Sequence, residues 1–369
     1  MSDRRTIHIH YTDLDRLILE CVHPVLERVG GTLERRYWDR HYAGGPHLRV
    51  RLVGGEAVHA AVGEVVRAAE RFVAEHPSAD VAHYSPERAA EMLRREGEEW
   101  EEDDLGYRNN VVLERAHRSR SGEYVSGEAE ALAEEFRHDA EPLVAHILAG
   151  PRPAAEQVLR LYFLHALLAT RGRLPEGAVS FKSHWEGFAA GFPVAEVPER
   201  IAASYAGQRD TLVALMLEVE GLYRRGALAE DPLLGAWSDL MARYAERTRQ
   251  SLRRGTHITP QPATLREASE SREALFNYLR RESEFIRVLW DDPRFIAAVQ
   301  FEPGFLVPRV LVNLLYIVVA AAGLSTLDRM TLCHHAFRTV EDHFDRDLTD
   351  ILRGNVAGAL ARSAHRVPA

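Results

Sequence analysis

Three groups of side chains in this chain have types and spacings suited to chemistry. The first lies in Arg35–Leu52, RRYWDRHYAGGPHLRVRL. After a Gly44-Gly45-Pro46 turn, His47, Arg49 and Arg51 alternate with Leu48, Val50 and Leu52. Alternate residues of a strand share a face, so the three polar side chains stand in a row opposite an apolar face. Neighbouring guanidinium groups repel unless an anion or water sits between them, and their planar fork suits a carboxylate or an amide oxygen. The row is a candidate substrate-binding site. The second group is Ser180–Phe188, SFKSHWEGF, where Lys182, Ser183, His184 and Glu186 stand among aromatic residues. Ser183 followed three residues later by Glu186 has the form of a helix capping box. The functional alternative is proton transfer by His184 or Lys182 in a geometry that the cap fixes. The third group is Arg309, Asn313 and Tyr316, spaced i, i+4 and i+7 in an apolar stretch. That spacing makes one helix face. Unpaired buried polar groups are costly, so the three need partners. A structural network and a polar pocket both supply them, and the arginine row favours the pocket.

The elements that must position these groups can be read from periodicity. Thr6–Tyr11 alternates as a strand. Leu14–Val29 has apolar residues at helical spacing, with Asp13 as its N-cap and Gly30-Gly31 as its end. Thr32–Arg40 and His47–Val53 read as a strand pair joined through the glycine turn. A helix over Glu56–Glu75 completes a β-α-β-β-α unit. Pro86–Asp104 is highly charged and reads as a solvated helix face. Tyr107–Val125 is a short strand-like piece with a basic loop, Arg115–Arg120. Helices are expected near 128–149, 153–170, 197–223, 231–253, 267–289, 306–322 and 326–343, punctuated by prolines. Gln250–Ala263 is the best candidate for a linker or mobile loop. The expected fold class is α+β: helix-rich, with a small, mainly antiparallel N-terminal sheet packed by helices. One domain is expected over residues 1–369, with its sheet part in 1–125 and a mostly helical part in 126–369. No internal repeat or low-complexity tract stands out.

Composition excludes several functions. The 369 residues suffice for a large core, and 46% hydrophobic with 27% charged residues is ordinary for a folded protein. A net charge of −9 argues against a general nucleic-acid binder. The N-terminus, MSDRRTIHIHY, does not look like a signal peptide. The apolar run Val310–Leu324 contains Asn313 and suits a buried helix better than a membrane span, which needs about 20 residues. Cys21 and Cys333 are far apart and show no metal or redox spacing, so a cytoplasmic setting is expected.

His8 and His10 share a face of the first strand, and with His47 they raise the question of a metal. No carboxylate or cysteine stands at a ligand spacing beside them, so they read as sheet histidines, and no metal is expected. His334, His335 and His343 lie in a late helix without an HExxH pattern. Glycine-rich phosphate loops and a GxSxG elbow are both missing from the sequence. No cofactor is expected.

Taken in order, TIHIHY, a helix, an aromatic strand and GPHLRVRL resemble the C-terminal domain of lantibiotic dehydratases, which also stands alone in thiopeptide maturation. SFKSHWEGF and PRVLVNLLYIVVAAAGLS are similar to blocks of the stand-alone members. The resemblance spans most of the chain and is closest in kind to the thiopeptide pyridine synthases. It implies one of two chemistries. Eliminating members expel glutamate from a glutamylated Ser or Thr, with arginines holding the leaving group and a histidine moving protons. Pyridine-forming members join two dehydroalanines of a peptide in a formal aza-[4+2] cycloaddition, then lose water and the leader peptide. The chain keeps Arg49 and Arg51. It departs from the eliminating pattern at Arg309, where those members have histidine four residues before the late Asn. It also lacks their acidic-Arg-Tyr-Gly-Gly block, since Tyr107 is followed by Arg108, Asn109 and Asn110.

The expected function is therefore pyridine formation on a precursor peptide. Tyr316, Arg309, His184 and Lys182 would be catalytic. His47, Arg49, Arg51, Ser183, Glu186 and Asn313 would bind the peptide. Glutamate elimination and a non-catalytic peptide-binding module are the alternatives. The expected partners are a precursor peptide with its leader and the other maturation enzymes of the pathway.

Overall fold

The computed structural model describes residues 3–81, 83–96, 100, 102–117, 126–191, 196–256, 258, 283–296 and 302–364. The chain falls into two compact units. The first comprises Met1–Pro151 with Ile317–Gly323, and the second Arg152–Tyr316 with Leu324–Ala369. The class is α+β, helix-rich with one small sheet, as the sequence predicts.

In the first unit, strands β1 (Asp3–His10), β2 (Arg35–His41), β3 (His47–Gly54) and β4 (Val111–Ala116) form an antiparallel sheet in the order β2-β3-β1-β4. The expected helix over 14–29 is continuous in outline. It consists of α1 (Leu14–Leu17), a π-helical stretch Ile18–Val22 and α2 (His23–Val29), and the Asp13 side chain caps its start. Helix α3 (Ala57–Glu75) buries Val58, Ala61, Val62, Val65, Ala69 and Phe72, a repeating i, i+3, i+4 stripe. It packs on β1 and β3, whose Ile7, Ile9, Leu48, Val50 and Leu52 are fully buried. The charged segment forms α4 (Pro86–Glu96). Helix α5 (Gly127–Ala149), capped by Ser126, packs along β2.

The second unit is helical. It holds α6 (Ala154–Thr170), α7 (Leu174–Gly191), α8 (Glu196–Ala206), α9 (Arg209–Arg224), α10 (Pro232–Arg253) and α11 (Glu284–Trp290). It continues with α12 (Pro303–Ala321), whose residues from Ile317 on group with the first unit, α13 (Thr326–Phe344) and α14 (Leu348–Ala364). Helix α7 is central, packed by α6, α13 and α14. Gly177 permits this: a Cβ there would lie 2.2 Å from the Ala166 carbonyl oxygen of α6. Helix α12 is long and apolar enough to cross a membrane by composition, yet half of its most apolar window is buried within the protein, as in a core helix.

Several expectations change. The helix expected over 197–223 is two helices, α8 and α9. Neither α7 nor α14 was expected. The basic loop beyond residue 117, most of the Gln250–Ala263 segment beyond 256 and residues 267–282 of the expected 267–289 helix lie outside the described residues.

Candidate active site

Helices α6, α7, α11, α12 and α14 of the second unit line a cavity of about 860 Å³. That volume suits a peptide segment or a drug-sized ligand. Its walls are mostly apolar, from residues such as Phe285, Trp290, Phe305 and Val312. Polar and charged side chains interrupt that lining, among them Arg173, Glu176, Glu302 and Asn355.

His184 lines the cavity from α7. Its Nδ1 lies 2.6 Å from the Tyr316 hydroxyl, which is also 3.5 Å from the Cys333 sulfur. Burial raises the Tyr316 hydroxyl well above the ordinary phenol range, so it keeps its proton. That single proton goes to the nearer and stronger acceptor, the imidazole nitrogen rather than the thiol. Nδ1 thus accepts, and Nε2 carries the ring hydrogen. Burial, with the charges of Arg329 and Arg309, lowers His184 to about 4. At neutral pH the ring is a neutral donor. The Arg329 guanidinium sits 4.8 Å from the centre of the Tyr316 ring, a cation–π contact.

Arg309, on α12, also lines the cavity. Among the described residues no carboxylate pairs with it, and burial lowers its pKa. An unpaired, partly buried guanidinium is expensive unless a ligand completes it. Its N–H groups fit a carbonyl or amide oxygen. Ser183, Ser180 and His165 add to the lining. The Ser180 hydroxyl and His165 Nδ1 are buried with no hydrogen-bond partner among the described residues.

Other expected residues are placed differently. The capping box at Ser183 and Glu186 is corrected: both lie inside the continuous helix α7. Glu186 instead accepts a hydrogen bond of 2.9 Å from Ser283, the N-cap of α11. Lys182 does not line the cavity. Its ammonium lies 2.6 Å from Glu341 and 2.9 Å from Asp347, and those two acceptors raise its pKa against its burial. This is a buried ion pair joining α7 to the end of α13 and the start of α14. Asn313 is exposed and outside the cavity lining, so Arg309, Asn313 and Tyr316 do not act as one polar face. Sequence reasoning missed His165 and Ser180, because a single histidine or serine in an apolar helix gives no spacing signal.

The arginine row lies in the first unit, on β3, and has the expected alternation. Cross-strand register places Asp39 opposite Arg49 and Tyr37 opposite Arg51. Asp39 Oδ2 accepts from Arg49 Nε at 2.6 Å, and Asp39 Oδ1 accepts from Arg51 Nε at 3.0 Å. The anion between the two guanidiniums is therefore a side chain of the protein. Both arginines are buried, 5% and 4% exposed. His47 is buried beside them, stacks with His8 and lies tilted against His10.

Residues 5–340 match the family described as lantibiotic biosynthesis dehydratase, C-terminal. The chain belongs to this family. Its fold is that of the pyridine synthase TbtD from thiomuracin biosynthesis, with a TM-score of 0.70 at 19% identity over 92% of this chain and 98% of that one. It is also similar to TsrL, with a TM-score of 0.66 at 17% identity over 96% of this chain and 98% of that one. No curated protein sequence matches the chain. At such identities the likeness is one of fold, and the function must be argued from the site.

Proposed function

We propose that this family member acts on a ribosomally made precursor peptide and closes a pyridine ring between two of its dehydroalanines by formal aza-[4+2] cycloaddition. Loss of water and of the leader peptide then follows. The observation that carries this reading is that the neutral donor His184 and Arg309, which no carboxylate among the described residues pairs, line one mostly apolar cavity. Ring closure between two parts of one chain mainly lacks proximity, and a cavity that folds the peptide supplies it. The amide that joins the ring must reach its hydroxyl-imine tautomer. Arg309 donates to that oxygen and His184 exchanges a proton there, held in its tautomer by Tyr316. The same two donors then assist departure of the oxygen as water. Glutamate elimination is less well supported, since Asp39 already occupies the arginine row.

The test is incubation of the purified protein with a linear peptide bearing a leader and two dehydroalanines. The expected product has lost the leader and one water, read by mass spectrometry. Recovery of unchanged peptide with all pathway partners present would overturn the reading. Mass loss from a glutamylated peptide instead would establish elimination.

A further inference from the structure

We propose that His8, His10 and His47 form a binding site for one divalent first-row transition metal, Zn²⁺ in kind, with three imidazole ligands and a fourth position open on the His8 side. The three side chains share one face of the sheet, since His10 pairs with His47 across β1 and β3 and His8 stands two pairs further along, opposite Arg49. Their ligand nitrogens all lie within 4.8 Å of one another. His8 Nδ1 is 3.1 Å from His47 Nε2. Two nitrogens on a tetrahedral zinc with bonds of about 2.0–2.1 Å stand about 3.3 Å apart, so this pair is already at ligand spacing.

The far sides of the rings are held as ligand histidines usually are, with the second N–H on a carbonyl. His47 Nδ1 donates to the Gly45 carbonyl at 3.0 Å, which leaves the Nε2 lone pair facing His8. The Gly44 carbonyl engages the His10 ring, and His10 Nδ1 is buried with no hydrogen-bond partner among the described residues. An orphan imidazole nitrogen on a residue 3% exposed is what a ligand would complete. Gly44 and Gly45 both take positive φ, 78° and 101°, and a Cβ on either would come within 2.8 Å of backbone oxygens of the 104–108 segment. The turn that supplies the two carbonyls is thus fixed in place.

Charge and protonation agree with the geometry. Burial holds His8 at about 3, His10 at about 4 and His47 well below its ordinary value, so all three rings are neutral at pH 7 and keep their lone pairs. Without metal, one proton bridges His8 and His47. Binding asks only that His8 move that proton from Nδ1 to Nε2, with no net release. Arg49, which faces His8, has its charge met by Asp39, while Arg108 and Arg115 act on His10. An all-imidazole set selects zinc, copper, nickel or cobalt over magnesium or calcium.

The experiment is calorimetric titration of the chelator-stripped full-length chain with Zn²⁺, paired with the visible spectrum of the Co²⁺ form. One ion per chain and a tetrahedral cobalt spectrum are expected. His8→Ala and His10→Ala should each weaken binding by about 100-fold, while His146→Ala, an exposed histidine on α5, should leave it unchanged. If His10→Ala fails to fold by circular dichroism, His8→Ala, at the half-buried rim, carries the test. Absence of stoichiometric binding by the folded wild type, or binding that His8→Ala does not move, overturns the site.

Discussion

Arg49 and Arg51 on the sheet and Arg309 in the helical unit are the same residue type in opposite circumstances. The sheet arginines are buried and share the carboxylate of Asp39. Arg309 lines a cavity, and no carboxylate among the described residues meets it. Taking a guanidinium out of water is costly, and a fixed carboxylate offsets that cost in the fold itself. Where the fold leaves it uncompensated, the compensation comes from a ligand. The first arrangement buttresses structure, and the second is suited to gripping a substrate oxygen.

The largest effect that could break this contrast is on stability at the sheet. Asp39→Ala leaves two buried guanidiniums without their shared carboxylate, and the loss should be about 3–5 kcal/mol. Urea unfolding measures it. A variant as stable as wild type would show that Asp39 is not the keystone of the row. Arg309→Ala should behave in the reverse way. Stability should be unchanged or slightly higher, because an unpaired buried charge is gone, while ring closure should slow about 10²–10³-fold. Arg309→Lys keeps the charge and loses the fork, so it should recover only part of the rate. A destabilised Arg309→Ala with normal turnover would place Arg309 with the sheet pair.

Much of the sheet was legible because a strand's period of two carries its geometry. The alternation in HLRVRL assigned both faces, and the Gly44-Gly45-Pro46 turn marked the hairpin. The partner was legible too: Asp39 alternates with Trp38 and Arg40, and the hairpin register alone puts it opposite Arg49. The strand pair is legible in the sequence, but only the cross-strand register brings the Asp39 carboxylate between the two guanidiniums. The cavity was harder. Pro175, Gly177 and Gly187 look like breaks, yet Pro175 sits in the first turn, where a missing N–H costs nothing, and Gly177 serves a close helix contact. A single chain segment does not reveal that. Lys182 and His184 are two residues apart on α7, so they point to different sides of the helix and enter different environments, which a list of polar residues in one segment conceals.

On the pH axis the two regions should look alike. Burial holds His184 and His165 at about 4, and His10 of the sheet likewise at about 4, against about 6.5 in an unfolded chain. Between those values the unfolded state binds more protons than the folded one, so stability rises with pH. The contribution is complete above about pH 6.5 and is lost as the pH falls through about 4, on the order of 3 kcal/mol for each ring. Unfolding free energies measured from pH 7 to pH 4 should show this slope. His184→Leu should flatten it by one ring's share. An unchanged slope would mean that His184 is charged in the folded protein, and the neutral-donor role would fall.

The smallest effect tests the finest part of the contrast, the tautomer of His184. Tyr316→Phe keeps the aromatic ring against Arg329 and removes only the hydroxyl. One hydrogen bond is worth about 0.5–1.5 kcal/mol, so kcat should fall about tenfold or less while KM stays unchanged. The pH profile separates this from a packing defect. The hydroxyl donates to the neutral ring, and without it the neutral form loses support relative to the charged one, which raises the ring's pKa. The acid limb of kcat should move to higher pH. Asp39 and the sheet arginines share no atom with this bond, so no Asp39 variant should shift that limb. If Tyr316→Phe slows turnover with the limb unmoved, the tyrosine packs the cavity wall and does not set the proton on His184.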